Sequence, residues 1–174
     1  NPFFLSPIMK TLLIEKLPRI LYNKERLEKE LKIKITNRGK EVSISGKPED
    51  EYIAEKVIDA LEFGFSFSDA MLIKKEDFIL EILSIKDYTK RSDLKRVRAR
   101  IIGKEGKTLK VLSDLTDCHF ELKDNFVGII GDPEKIENAQ NAMISLIRGS
   151  KQSNVYTRLE KLKPEPVVDL GLKK

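Results

Sequence analysis

One cysteine, one histidine and no apolar run of about eighteen residues set the first boundaries on this chain of 174 residues. A single thiol cannot build a disulfide framework, and the missing run excludes a membrane-spanning helix. Cys118 and His119 are neighbours in an alternating stretch, so their side chains point to opposite faces of one strand and cannot form a Cys–His dyad. Cys118 reads as a small buried hydrophobe and His119 as a surface or groove residue. No His/Cys cluster has metal-ligand spacing. Paired acids such as Glu49-Asp50-Glu51 lie at a helix start, where negative charge favours the dipole. Asn1–Ile8 is too short, and lacks the charged start, for a secretory signal. Met9-Lys10 reads as a native start, making residues 1–8 an arm or a non-native remnant. The expectation is a cytoplasmic protein that is not an enzyme and carries no cofactor, no metal and no membrane contact.

Composition is 40% hydrophobic and 35% charged, which describes a folded chain with room for one large or two small domains. The Lys, Glu and Ile bias is thermophile-like. Charge is unevenly spread. Residues 86–110 carry ten Lys/Arg against Asp87, Asp93 and Glu105, a net +7, so the remainder of a chain at +5 sums to −2. A field this local is an electrostatic footprint for a polyanion.

At its centre lies Ile101-Ile102-Gly103-Lys104-Glu105-Gly106-Lys107-Thr108. Two glycines three apart let backbone approach a phosphate without side-chain bulk, and the N–H groups opening the following helix favour an anion. A nucleotide-hydrolysing P-loop requires Gly-x-x-x-x-Gly-Lys-Ser/Thr, and the position five before Gly106 is Ile101. On these grounds Gly103–Gly106 present N–H groups to phosphates. Arg98, Arg100, Lys104, Lys107 and Lys110 neutralise them, while Ile101, Ile102 and strand residues near Phe120 floor an apolar groove.

Sliding the sequence on itself by 85 positions exposes a duplication. Val42–Glu49 falls on Val127–Glu134, Leu27 on Leu112, Ile33 on Cys118, Ala54 on Ala139 and Gly64 on Gly149. The second copy reads as a strand at 79–85, a helix at 92–102, the Gly loop and a helix at 109–115. Strands at 118–122 and 126–130 follow, joined by Asp124-Asn125, and then a helix from Asp132-Pro133 to about Arg148. The first copy reads as strand 12–17, helix 24–31, strands 33–35 and 42–45, and helix 49–62. Where the loop should lie it has Pro18–Asn23 without glycine, and residues 10–62 hold twelve basic and eleven acidic side chains. Between the copies, residues 64–77 are apolar for a linker (Phe65, Phe67, Met71) and are expected to pack between the domains. After Gly149 a short helical stretch runs to Lys163, with a mobile end at 167–174.

The loop resembles the GxxG of KH domains, which clamps single-stranded nucleic acid. The order β-α-α-β-β-α is that of a type I KH domain. The implied fold is α+β: two tandem type I KH-like domains, the first degenerate (9–63) and the second complete (78–149), with an extension at 150–174. A degenerate KH followed by a complete one, then Ser150-Lys151 and Val155-Tyr156, resembles the two-KH ribosome-assembly factors of the partner-of-Nob family over residues 10–160. KRR-type assembly factors are the next most similar. The resemblance implies binding of single-stranded RNA near the 3′ end of small-subunit ribosomal RNA. It also implies partnership with the endonuclease that matures that end and with a translation initiation factor subunit, and no intrinsic catalysis. The alternative is a KH-type adaptor that binds another RNA or recruits translation or RNA-decay proteins.

Overall fold

The computed structural model describes residues 10–164 and Gly171; the expected arm at 1–8 lies outside them, as does the expected mobile end apart from Gly171. The first unit runs β1 (Lys10–Leu13), α1 (Leu17–Tyr22), α2 (Lys24–Leu31), β2 (Lys34–Arg38), β3 (Glu41–Ser45) and α3 (Pro48–Phe63). After α4 (Phe67–Lys75) the second unit runs β4 (Ile79–Ser84), α5 (Leu94–Ile102), α6 (Lys107–Thr116), β5 (His119–Lys123), β6 (Phe126–Gly131), α7 (Ile136–Ile147) and α8 (Gln152–Leu162). Both sheets are antiparallel with the third strand central, in the orders β1-β3-β2 and β4-β6-β5.

The duplication is structural. β2 and β3 fall on β5 and β6 at the 85-residue offset. Upstream the offset shrinks: Leu12 pairs with Val42 as Leu83 pairs with Val127, a separation of 71. The first copy is therefore 14 residues shorter between its first strand and second helix. That deletion removes the Gly loop and the basic segment before it.

Several boundaries differ from the sequence reading, each for a local reason. β1 ends at Leu13 because Leu17 opens α1, with Pro18 in the first turn where no donor is needed. The linker is not extended chain. Ser66 caps α4 by accepting from Asp69 N at 3.1 Å, the Ser-x-x-Asp signature of a helix start, which the sequence reading passed over. Asp132 does not cap α7 directly. Its side chain accepts from Glu134 N at 2.8 Å and its carbonyl from Lys135 and Ile136 N at 2.9 Å, making a turn that delays the helix to Ile136. The expected extension beyond 149 belongs to the second unit, since Val155 and Leu159 of α8 are buried in its core.

The two units share one junction. Val127, Ile129 and the half-buried Phe120 and Leu122 pack toward the second unit's own helices. The opposite face of that sheet, with Ile130 and Leu80, packs on Phe63, Phe65, Ala70 and Met71 from α3 and α4. Backbone closeness requires glycine here: a Cβ on Gly128 would lie 2.7 Å from Phe63 Cε1 and 2.8 Å from Phe65 Cε2. Arg19 donates to the carbonyls of Gly64 and Phe65 at 3.2 and 2.7 Å, fixing the chain where it leaves α3. The expectation that 64–77 packs between the domains holds.

The junction's polar rim is mixed. His119 Nδ1 lies 3.3 Å from Asp69 Oδ1, so His119 faces the first unit rather than a groove. Burial pushes the Glu121 carboxyl above the usual range, Arg19 opposes that and Asp69 adds to it. A carboxyl whose folded pKa is raised binds a proton more readily folded than unfolded, so stability falls as pH rises from the ordinary carboxylate value through the raised one. Glu121→Gln is expected to raise Tm at pH 7 by about 1–2 °C and to flatten that decline, read from melting curves between pH 4 and 7.

Candidate nucleic-acid interface

α5 starts where Asp93 accepts from Arg96 N at 3.3 Å and ends where the chain reaches Gly103. Val97 and Ile101 make its buried stripe and leave the basic side chains outside. Gly103 (φ 76, ψ 174) and Gly106 (φ 74, ψ 10) both hold positive φ, and so does Glu105 between them (φ 55). Gly103 N donates to Ala99 O at 2.9 Å and Gly106 N to Gly103 O at 3.3 Å. α6 follows at once without a side-chain cap; its Lys107 N–H goes to Lys104 O, and the positive end of its dipole faces the loop, where it favours an anion.

The two glycines do different work. A Cβ on Gly103 would meet Thr108 Oγ1 at 2.1 Å, so Gly103 is required by packing beneath the loop. A Cβ on Gly106 would meet nothing within 4 Å, so Gly106 borders open space. Lys104, Lys107 and Lys110 are exposed around it, Glu105 is the lone acid there, and Ile102 is half-buried beside the loop.

The structure divides the residues named from sequence. Gly103, Lys104, Glu105, Gly106, Lys107, Lys110 and Ile102 come together at the loop. Ile101 does not line it: its side chain is fully buried in the core because it follows Val97 by four residues on the same helix face. Thr108 is buried against Gly103 rather than offered to a ligand. Arg100 turns to the other side of α5, donating to Ser150 O. Arg98 donates to Asn125 Oδ1 in the β5–β6 turn, so α5 is tied to that turn by a residue the sequence reading did not assign. Asn125 had no signal beyond its place in a two-residue turn.

The first unit lacks the equivalent site. α1 passes into α2 through Asn23 alone, with no positive-φ residue, and exposes Leu21 and Tyr22 there instead. Burial pushes the Cys118 thiol up, and its sulfur sits where a Cβ on Gly131 would come within 2.4 Å. Among the described residues, no three His, Cys, Asp or Glu side chains are grouped to hold a metal ion, and no helix is long and apolar enough to cross a membrane.

Two β-α-α-β-β-α units, of which only the second carries a phosphate-accessible Gly loop, define a tandem KH protein of type I. The family model described as "Eukaryotic type KH-domain (KH-domain type I)" matches residues 79–164, taking in α8 as the packing does. A KH domain-containing protein of Methanocaldococcus jannaschii is 29% identical over 145 residues, 79% of this chain and 64% of that protein. The pre-rRNA-processing protein PNO1 of Coccidioides immitis is 30% identical over 78% of this chain and 55% of its own length. The crystal structure of Dim2p from Pyrococcus horikoshii has a TM-score of 0.80 at 30% identity, covering 88% of this chain and 98% of that one. The same archaeon's a/eIF2alpha-aDim2p-rRNA complex gives 0.81 at 30%, covering 91% and 95%. This chain belongs to the partner-of-Nob family. It spans about three fifths of the length of the curated relatives it matches.

Proposed function

We propose that this chain binds single-stranded RNA during small-subunit ribosome assembly, holding the 3′ region of the ribosomal RNA for maturation without cutting it. The observation that carries the reading is the open Gly106 at the start of α6, flanked by three exposed lysines, on a chain whose family includes pre-rRNA-processing proteins and an rRNA-bound relative. Phosphates take the N–H groups and lysines, which supplies affinity and salt dependence. Bases lie toward Ile102 and β5, where sequence preference arises. The endonuclease that matures the 3′ end and an initiation factor subunit are partners in this reading, the latter supported by the factor named in the relative's complex. The reading places the protein in the cytoplasm.

An oligonucleotide of the small-subunit 3′ end is expected to outcompete a scrambled strand of equal length, with both weakening by about 0.7 log units per neutralised phosphate per log unit of salt. Equal competition by the scrambled strand would remove the ribosomal assignment and leave RNA binding standing. Cleavage of either strand by the purified protein, lost in His119→Ala, would overturn the non-catalytic role.

A further inference from the structure

Behind α5, away from the Gly loop, a second group of cations stands without counter-charge. The place where a Cβ on Gly149 would sit is 3.6 Å from Arg100 Nη1 and 3.9 Å from Arg91 Nη2. Arg148 is the next residue, its guanidinium 5.7 Å from the centre of the Tyr88 ring. Among the described residues no carboxylate lies within ion-pair distance of any of the three, since the one acid bonded on this segment, Asp93, pairs with Arg96. Like charges brought this close, with no carboxylate between them, make a local positive field that favours an anion.

Local hydrogen bonding does not consume these donors. The carbonyl end of α7 is closed by its own backbone, with Gly149 N donating to Leu146 O at 3.1 Å and Ser150 N to Ser145 O at 3.0 Å. Arg100 gives one contact to Ser150 O, Arg148 rests over a ring, and among the described residues the Arg91 guanidinium has no hydrogen-bond or ion-pair partner. Each guanidinium offers five N–H groups in a planar fork suited to two phosphate oxygens. Gly149, with no Cβ, leaves a notch beside the Arg91 and Arg100 guanidinium groups. α8 begins three residues on with no side-chain cap, and Gln152 donates to Arg100 O at 3.4 Å, so the notch is built from three helices. Arg100 lies three residues before Gly103, placing the notch about one helical turn from the Gly loop.

We infer that Arg91, Arg100 and Arg148 around Gly149 form a second phosphate-binding site, which takes the backbone of nucleotides flanking those held at Gly103–Gly106. The inference rests on the RNA reading above and extends it: the footprint is longer than the groove's own four or so nucleotides, and one end of the strand wraps the end of α5.

The test uses the full chain, a 3′-end oligonucleotide of about six nucleotides, and versions extended by about four on either side, beyond the groove's reach. In the unmodified protein one extension, and not the other, is expected to tighten binding about fivefold to tenfold, or about 1–1.4 kcal/mol. Arg91→Ala/Arg148→Ala, both at exposed positions, is expected to abolish that gain and lower the salt slope for the extended strand by about one unit, leaving six-nucleotide affinity within about twofold. Extended strands that bind the double variant as tightly as the unmodified protein would overturn the second site, as would no gain from either extension. Failure of the unmodified protein to bind the six-nucleotide strand would instead overturn the RNA reading beneath it.

Discussion

Gly106→Asp is expected to weaken binding of a short single-stranded RNA about a hundredfold, or about 2.7 kcal/mol, while the protein stays folded. The position borders open space, so the new side chain meets no protein atom within 4 Å of its Cβ. What it meets is the phosphate, with a carboxylate where the glycine leaves open space. Aspartate tolerates the left-handed conformation better than most residues, so the cost to stability is about 1 kcal/mol, a few degrees of Tm. Gly106→Asn has nearly the same shape without the charge and should keep part of the affinity. Gly103→Asp separates nothing, because its Cβ would sit 2.1 Å from Thr108 Oγ1 and disturb the loop from beneath. Sequence treats the two glycines alike; geometry makes only Gly106 a clean probe. Anisotropy titrations alongside melting curves decide the matter, and a folded Gly106→Asp protein with unchanged affinity would move the site elsewhere.

The fold was legible because its signals are local and periodic. α2 and the β5–β6 turn at Asp124-Asn125 stand where the apolar spacing and turn residues put them. The duplication was legible too, since shared packing positions at a fixed offset survive loss of the functional loop. α4 was missed because apolar linker content outweighed the cap at Ser66. Within the site, residue type identified the loop but not the direction of each side chain. Arg98 and Arg100 lie two apart on a helix, about 200° around its axis, so one reaches Asn125 and the other Ser150. Ile101 and Ile102 separate in the same way, one into the core and one beside the groove. A run of basic and apolar residues carries no phase until the helix packs. Alternation puts His119 on the face of β5 opposite Cys118, but only the fold reveals that this face meets α4 and not a groove.

That buried junction decides how the domains can be tested, and it motivates the largest expected loss of stability. Separating the halves at the linker would strip Ile130, Leu80 and Gly128 of the cover that α3 and α4 provide, so low affinity in an isolated second half would report damage as readily as function. A point change inside the intact chain avoids this. Phe65 is 1% exposed and stacks on Phe63 with ring centres 5.8 Å apart, wedged where β6 has only the hydrogen of Gly128 to offer. Phe65→Ala removes a ring from a site closed on both sides, and is expected to cost about 3–5 kcal/mol, lowering Tm by about 10 °C. Because the ring belongs to the junction, the single cooperative transition is expected to split, the first unit melting below the second. Below that first transition RNA affinity should change by less than about twofold, or about 0.4 kcal/mol, because the Gly loop, α5 and α6 lie on the other side of the second sheet from Phe65. Scanning calorimetry with RNA titration at about 20 °C reads both quantities. A tenfold fall in affinity with the second unit still folded would mean that the first unit holds RNA or sets the groove. The view of the first copy as a scaffold would then have to be abandoned.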